Sequence, residues 1–270
     1  MIFYIGSAMN PLPRIPSSRF KSYQKLTQKK YRESERKFII EGVHLVEEIL
    51  NTVWDVETIL VSETFLQSRE FPPLQKKAHT KKIPFFLTSD REIRTLSDAV
   101  TTQGIVAIVR EKEIAELWDR LPAKSLIVML DGISDPGNVG TLIRTCDWFG
   151  IDAVIVGNAS VELYNPKVLR STMGSMFHLP VIIDDHLSQT VEKLKRHHWR
   201  IVSTVVTGGT NLSQKFAVGK YCLVFGNESH GVSKEIRSLA DVSVTISKFG
   251  QAESLNVAVS CGVVLSHLKL

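Results

Sequence analysis

The sequence predicts an α/β protein of two units: a C-terminal, mostly parallel sheet with helices on both faces, and a smaller N-terminal α/β unit. Three observations carry this. From Leu126 onward, apolar stretches too short for helices alternate with helical segments. Those stretches are nearly unbroken, as strands covered on both faces are. Midway, Leu121-Pro122-Ala123-Lys124 interrupts the pattern, and proline cannot continue a helix. A length of 270 residues suits two compact domains, with one large domain as the alternative, and 43% hydrophobic against 23% charged residues excludes a disordered chain.

The elements follow in order. Residues 1–16 read as an N-terminal extension. From Arg14 to Lys37 the chain holds nine Lys or Arg (Arg14, Arg19, Lys21, Lys25, Lys29, Lys30, Arg32, Arg36, Lys37) against Glu33 and Glu35, a local charge of +7 where the whole chain carries +5. Interleaved with Phe20, Tyr23 and Tyr31, this block can neutralise phosphates and offer rings to unstacked bases; the ordinary reading is a solvated amphipathic helix. Val43, Val46, Ile49 and Leu50 recur at helical spacing, and Val56–Ser62, Ile83–Leu87 and Gly104–Val109 read as strands. Ser89 and Asp90 can cap a short helix. Residues 17–110 therefore form the small unit, and residues 111–125 link it onward, with a polar helical segment over Glu111–Arg120. In the second unit, residues 126–270, the expected strands are Leu126–Leu130, Ala153–Val156, Ile201–Val206, Cys222–Phe225 and Val242–Ile246.

Several function classes are set aside by composition. Cys146, Cys222 and Cys261 are too few and too scattered for a disulfide framework or a metal clamp, so no metal is expected. The longest apolar stretch, Val257–Leu268, is broken by Ser260, Ser266 and His267, and no signal-peptide pattern opens the chain. The expectation is a cytoplasmic protein without a membrane partner, which makes the N-x-S triplets at Asn158, Asn211 and Asn227 chance matches.

Three glycine-bearing turns carry the chemistry. Asp131 to Gly140 runs from a strand into a helix bearing Arg144; alone, it reads either as an anion-binding turn or as an ordinary capped connection. On that helix Val139, Leu142, Ile143, Cys146 and Phe149 form one stripe, and Arg144 lies nearly opposite, facing solvent, a phosphate or a second subunit. The second turn is Gly226-Asn227-Glu228-Ser229-His230-Gly231, and the third runs from Gly250 to Ser254-Leu255-Asn256. All three follow strand C-termini, where open α/β sheets place ligands. Neither GxGxxG nor a P-loop triplet is present, which removes dinucleotide and phosphate-transfer readings.

In this order the three turns resemble the signature motifs of the SpoU/TrmH family of RNA ribose 2′-O-methyltransferases: Asn138-x-Gly140-x-x-x-Arg144, then Gly226-x-Glu228-x-x-Gly231, then Gly250 through Ser254-Leu255-Asn256. Asn165-Pro166-Lys167-Val168, Arg170-Ser171-x-x-Gly174 and Phe177-His178-Leu179-Pro180 are similar as well. Phe38 to Gly42 with Gln103-Gly104-Ile105 is similar to the family's frequent RNA-binding domain. The resemblance implies a C-terminal trefoil knot, a homodimer packed through the knotted domains, S-adenosylmethionine as cofactor and RNA, ribosomal rather than transfer, as substrate. It carries Arg144, Asn138, Glu228, Ser254 and Asn256 over as catalytic. Gly226, Ile246, Leu255, Thr204 and Gly231 become cofactor positions, and Arg19, Lys21, Lys25, Lys29, Lys30 and Arg32 RNA contacts. Ser247 and Lys248 depart from the family's proline and apolar residue, and Thr102 stands where proline is frequent.

A guanidinium is always protonated, so Arg144 is expected to grip an RNA phosphate and stabilise the developing oxyanion, with a phosphate oxygen or water taking the proton. Ser254 and Asn256 have a second reading as caps of the last helix. His178 and His230 match no catalytic position. The competing reading of the whole chain is a catalytically silent RNA-binding protein of the same fold.

Overall fold

The computed structural model describes residues 12–99, 101–114, 121–212 and 219–269. The chain divides into two compact units, Met1–Glu111 and Lys112–Leu270.

In the N-terminal unit the order is α1 (Ser17–Lys25), α2 (Lys29–Glu35), β1 (Lys37–Glu41), α3 (Val43–Leu50), β2 (Val56–Ser62), α4 (Phe71–Thr80), β3 (Phe85–Thr88), α5 (Asp90–Arg94) and β4 (Ile105–Arg110). The sheet runs β1-β4-β2-β3, with β4 antiparallel to both neighbours and β2 parallel to β3. Successive strand residues face opposite sides. Ile39, Leu60, Val106 and Ile108 thus pack with Phe20, Tyr23 and Leu26 near α1 and with Ile93 of α5, while α3 lies against β1 and β4. Strand β1 is held by full pairing with β4, Lys37↔Arg110 to Glu41↔Val106; its Phe-Ile-Ile core is too short to separate strand from helix by periodicity. The expected strand at Ile83 starts two residues later, because the Ile83 amide closes onto Ala78 O at 2.9 Å instead of joining the sheet. Ser89 does cap α5, in a reciprocal capping box with Glu92. Gly42, at φ +98°, turns the chain into α3, and Gln103 Oε1 accepts from the Val43 amide at 2.7 Å.

Of the polar helix expected over Glu111–Arg120, Glu111–Ile114 has no regular structure, and residues 115–120 lie outside the described residues.

The C-terminal unit contains β5 (Ser125–Asp131), α6 (Pro136–Trp148), β6 (Ala153–Gly157), α7 (Pro166–Thr172), β7 (Val181–Asp184), α8 (Leu187–Arg196), β8 (Trp199–Thr204), β9 (Thr210–Asn211), β10 (Lys220–Gly226), α9 (Lys234–Leu239), β11 (Val242–Thr245) and α10 (Val257–Lys269). The strand order is β7-β6-β5-β10-β8-β11-β9, and every described pair is parallel. One face buries Ile127, Met129, Ile155, Ile201, Cys222 and Val224 against Val191 and Leu194 of α8 and Ile236 of α9. On the opposite side α6 packs on α7 and α10, and α10 reaches β10. The sheet is therefore covered on both faces, as the unbroken apolar strands required. Strand β8 ends at Thr204 rather than Val206, which stands 58% exposed beyond the sheet.

This topology positions the site. From β5 the chain winds outward through β6 to β7, and the next strand on the other side of β5 is β10. Order reverses between β5 and β10, so their C-terminal loops lie side by side, the register ending at Gly226↔Asp131. Among the described residues no helix is long and apolar enough to cross a membrane.

Candidate active site

Beyond β5 the chain turns at Gly132 (φ +75°) into α6, whose N-cap Asp135 accepts from the Asn138 amide at 2.9 Å. This cap sets Asn138 in the first helical turn. Beyond β10, Asn227 folds its own turn, its Oδ1 accepting from the Ser229 and His230 amides at 2.9 and 3.2 Å, and its Nδ2 donates to Gly132 O at 2.8 Å. The first two loops are thereby clamped together. The Ser233 amide adds a bond to Asp131 Oδ2 at 2.7 Å. Gly226 admits no side chain: a Cβ there would sit 2.1 Å from Gly231 C and Val232 N. Gly140 is equally constrained, since a Cβ would meet Ser171 Cβ at 2.4 Å where α6 crosses α7.

Side chains from all three loops then join. Asn256 Nδ2 donates to Asn138 Oδ1 at 2.9 Å; Asn138 Nδ2 donates to Glu228 Oε1 at 2.8 Å. The other Glu228 oxygen accepts from the Ser134 hydroxyl at 3.1 Å and the Ser134 amide at 3.3 Å. Partial burial works against ionisation of Glu228, but these donors outweigh it and hold the carboxyl below its usual range. Glu228 is thus a carboxylate that orients Asn138. Asn256 also caps α10, its Oδ1 accepting from the Ala258 amide at 2.9 Å, so it both caps and links.

Beside this chain of amides lies a cavity of about 870 Å³ lined by Thr204, Gly226, Gly231, Ile246 and Leu255, together with Glu228 and Ser254. All five cofactor positions named from the sequence meet there, although they come from three separate strand ends, those of β8, β10 and β11. The Thr204 hydroxyl donates to Val224 O at 2.9 Å, fixing its rotamer. A nucleoside-bearing cofactor fits this lining. The volume is in the range of small-ligand sites, and Ile246, Leu255 and Val257 supply apolar walls.

Two of the expected catalytic residues are not tied into the amide chain. Ser254 lines the cavity but makes no side-chain bond to the other members among the described residues. Arg144 stands exposed on α6, outside the cavity lining, with no hydrogen-bond or ion-pair partner among the described residues. Of the stripe behind it, Val139, Leu142, Ile143 and Cys146 are fully buried, while Phe149, the C-cap of α6, is only partly so. His178 pairs with Asp147 at 3.1 Å and His230 with Asn227 at 3.2 Å, both local structural contacts.

The basic block needs correction. Arg32, expected to face RNA, is 4% exposed and donates to Leu26 O and Thr27 O at 2.9 and 3.0 Å, closing the end of α1. Arg19 is half-buried, bonded to Tyr23 at 2.6 Å and lying over the Phe86 ring. Phe20 and Tyr23 are core residues, so neither ring is available to a base. Lys21, Lys25, Lys29 and Lys30 remain exposed, with Lys25 and Lys30 near the Tyr31 ring. Sequence reasoning missed Ser134 as the second partner of Glu228, and Arg237, Lys248 and Phe249 in the cavity wall. Of these only Lys248 carried a signal, as a departure from the family pattern.

Comparison with known proteins agrees with this geometry. The model of the SpoU rRNA Methylase family matches residues 125–266, and that of the MRM3-like substrate binding domain matches residues 17–107. The chain is 32% identical over 261 residues to the Bacillus subtilis protein named 23S rRNA (guanosine(2553)-2'-O)-methyltransferase RlmP, covering 97% of this chain and all of that one. It is 29% identical over 215 residues to 23S rRNA (guanosine-2'-O-)-methyltransferase RlmB of Neisseria meningitidis, spanning 78% of this chain and 86% of that one. The AdoMet-bound rRNA methyltransferase of Sinorhizobium meliloti superposes with a TM-score of 0.81 at 26% identity, over 95% of each chain. With the three motifs meeting at one sheet edge and the match running through the whole catalytic unit, the chain belongs to the SpoU rRNA methylase family.

Proposed function

We propose that this protein is an S-adenosylmethionine-dependent methyltransferase acting on a ribose 2′-hydroxyl of ribosomal RNA. The observation that carries the reading is the junction of three loops, Asn256 to Asn138 to Glu228, against a cavity lined by Thr204, Gly226, Gly231, Ile246 and Leu255.

When bound, S-adenosylmethionine supplies an electrophilic methyl group on a sulfonium. The task left to the chain is to align the 2′-hydroxyl and stabilise its oxygen as charge develops. Glu228, ionised and holding Asn138, fixes the wall against which the ribose is set. Ser254, exposed on that wall, has a free hydroxyl to orient it. Arg144 is permanently charged and grips the adjacent phosphate while a phosphate oxygen or water accepts the proton.

The protein acts as a homodimer. Arg144 and Trp148 of α6 and Val259 and Val263 of α10 lie exposed on two helices that pack on each other, Trp148 at 86%. A second copy on this face covers the apolar side chains and leaves Arg144 at the subunit boundary. The segment from β11 to α10, which returns to pack on α6 and β10, forms a trefoil knot. The N-terminal unit, residues 17–110, holds the RNA through Lys21, Lys25, Lys29 and Lys30, and the work is cytoplasmic, where ribosomes are assembled.

Calorimetry with S-adenosylmethionine, with mass spectrometric mapping of ribose methylation in ribosomal RNA from cells with and without the protein, tests this. Micromolar binding and one missing 2′-O-methyl group are expected. Absence of cofactor binding would instead indicate a silent RNA-binding protein.

A further inference from the structure

Three apolar side chains line the cavity yet face water: Leu255 (51% exposed), Val206 (58%) and Phe249 (97%). Leu255 belongs to the cofactor site; Phe249 has no assigned role. A single exposed apolar residue is ordinary, but two further observations distinguish this one. The segment that carries it is tied down: Asn211 Nδ2 donates to Ser247 Oγ at 2.6 Å, and Thr245 Oγ1 donates to Val206 O at 2.9 Å. Serine in place of the family's proline thus anchors the loop by a hydrogen bond instead of a ring. The neighbour, Lys248, also lines the cavity and is exposed, with no ion-pair partner among the described residues, and the same holds for Arg237. Glu253 is the opposing charge on this rim, Glu228 being held by Asn138 and Ser134.

We propose that Phe249 is a base-stacking platform for the unpaired nucleotide entering the site, with Lys248 beside it for a flanking phosphate. A ring next to an unneutralised cation, on an anchored loop, matches a splayed-out single-stranded nucleotide, whose base has an apolar face and whose backbone is anionic. An apolar partner would bury Lys248 and Arg237 without compensation. The inference rests on the reading of this cavity as the active site of an RNA methyltransferase. Ser247 and Asn211 act as positioning residues, holding the loop that presents the ring.

The test uses the full chain and unmodified 23S ribosomal RNA made in vitro, measuring RNA affinity by anisotropy, methyl transfer from labelled S-adenosylmethionine, cofactor affinity by calorimetry, and mass in solution. Phe249→Ala should weaken RNA binding about tenfold, with cofactor affinity and mass unchanged. Phe249→Tyr, which keeps a ring, should restore it. Lys248→Ala should lower the slope of log affinity against log salt by about 0.7. Unchanged RNA affinity in Phe249→Ala overturns the proposal. So does loss of cofactor affinity, which makes Phe249 a cover over the cofactor, or a change of mass, which makes it a contact between copies. Wild-type protein that binds the RNA without methylating it would sink the function assigned above and leave the stacking role of Phe249 standing; no RNA binding overturns both.

Discussion

In the N-terminal unit Glu57 draws in Lys37 at 2.7 Å, Arg110 at 2.7 Å and Arg19 at 3.6 Å, and accepts from the Tyr23 hydroxyl at 2.7 Å. In the C-terminal unit Arg144, Arg237 and Lys248 have no acidic partner among the described residues. The basic block that dominates the sequence is thus neutralised in part within its own unit, with Arg14 paired to Glu63 and Arg36 to Glu111 as well. Burial raises the cost of ionising Glu57, but Lys37 and Tyr23 outweigh it and hold its carboxyl low, while burial and Glu57 push the Tyr23 hydroxyl up to about 12. The paired arginines of this run and Lys37 stabilise the fold, while the exposed lysines of the same run and the unpaired cations of the C-terminal unit are left to meet the substrate.

Substitution separates the two roles. Arg144→Lys keeps the charge but loses the planar fork, and should lower turnover about 100-fold without changing the melting temperature or cofactor affinity; near-normal turnover would place Arg144 with the structural cations. Glu57→Ala is expected to do the reverse, costing about 2 kcal/mol in denaturant unfolding while cofactor binding is retained. Arg32→Ala belongs with it, at about 1 kcal/mol, because two carbonyls at the end of α1 lose their donor. A selective loss of RNA affinity in Arg32→Ala, with unfolding unchanged, would mean that its burial is not the reason it is there.

Acid should expose the same contrast. Glu57 and Glu228 both have folded pKa values below the ordinary 4.5, so their stabilisation is complete above that value and is lost as pH falls through the lower folded one. Unfolding followed between about pH 5 and 2 should show a steep acid limb, flattened in Glu57→Gln. An identical limb in the variant would show that the network contributes little. The smallest effects belong to the exposed lysines. Lys25→Ala and Lys30→Ala should each weaken RNA binding a few-fold and reduce its salt dependence, with stability unchanged.

Much of this is legible in the residues. Strand β2 is legible to the residue, and the five strands expected in the second unit all exist, because parallel strands buried on both faces announce themselves as unbroken apolar runs. Strands β1 and β7 are not, being short apolar runs whose identity comes only from their partners. The site's membership is legible through motif spacing, and the double role of Asn256 through its place before a helix. Ser134 and Asn227 are not, since nothing in a serine or asparagine of a turn states which distant loop it will bond.

By itself, then, the sequence determined the layered α/β architecture, the family and the identity of the residues at the strand ends, because hydrophobic period and turn chemistry act over a few neighbouring residues. Only the tertiary structure decided which charges are free. Arg32 and Arg144 are the same side chain in sequence, yet one is buried against carbonyls at the end of the preceding helix and the other stands in water opposite a packed stripe. The difference is one of desolvation and long-range pairing, and both depend on what the rest of the chain brings alongside.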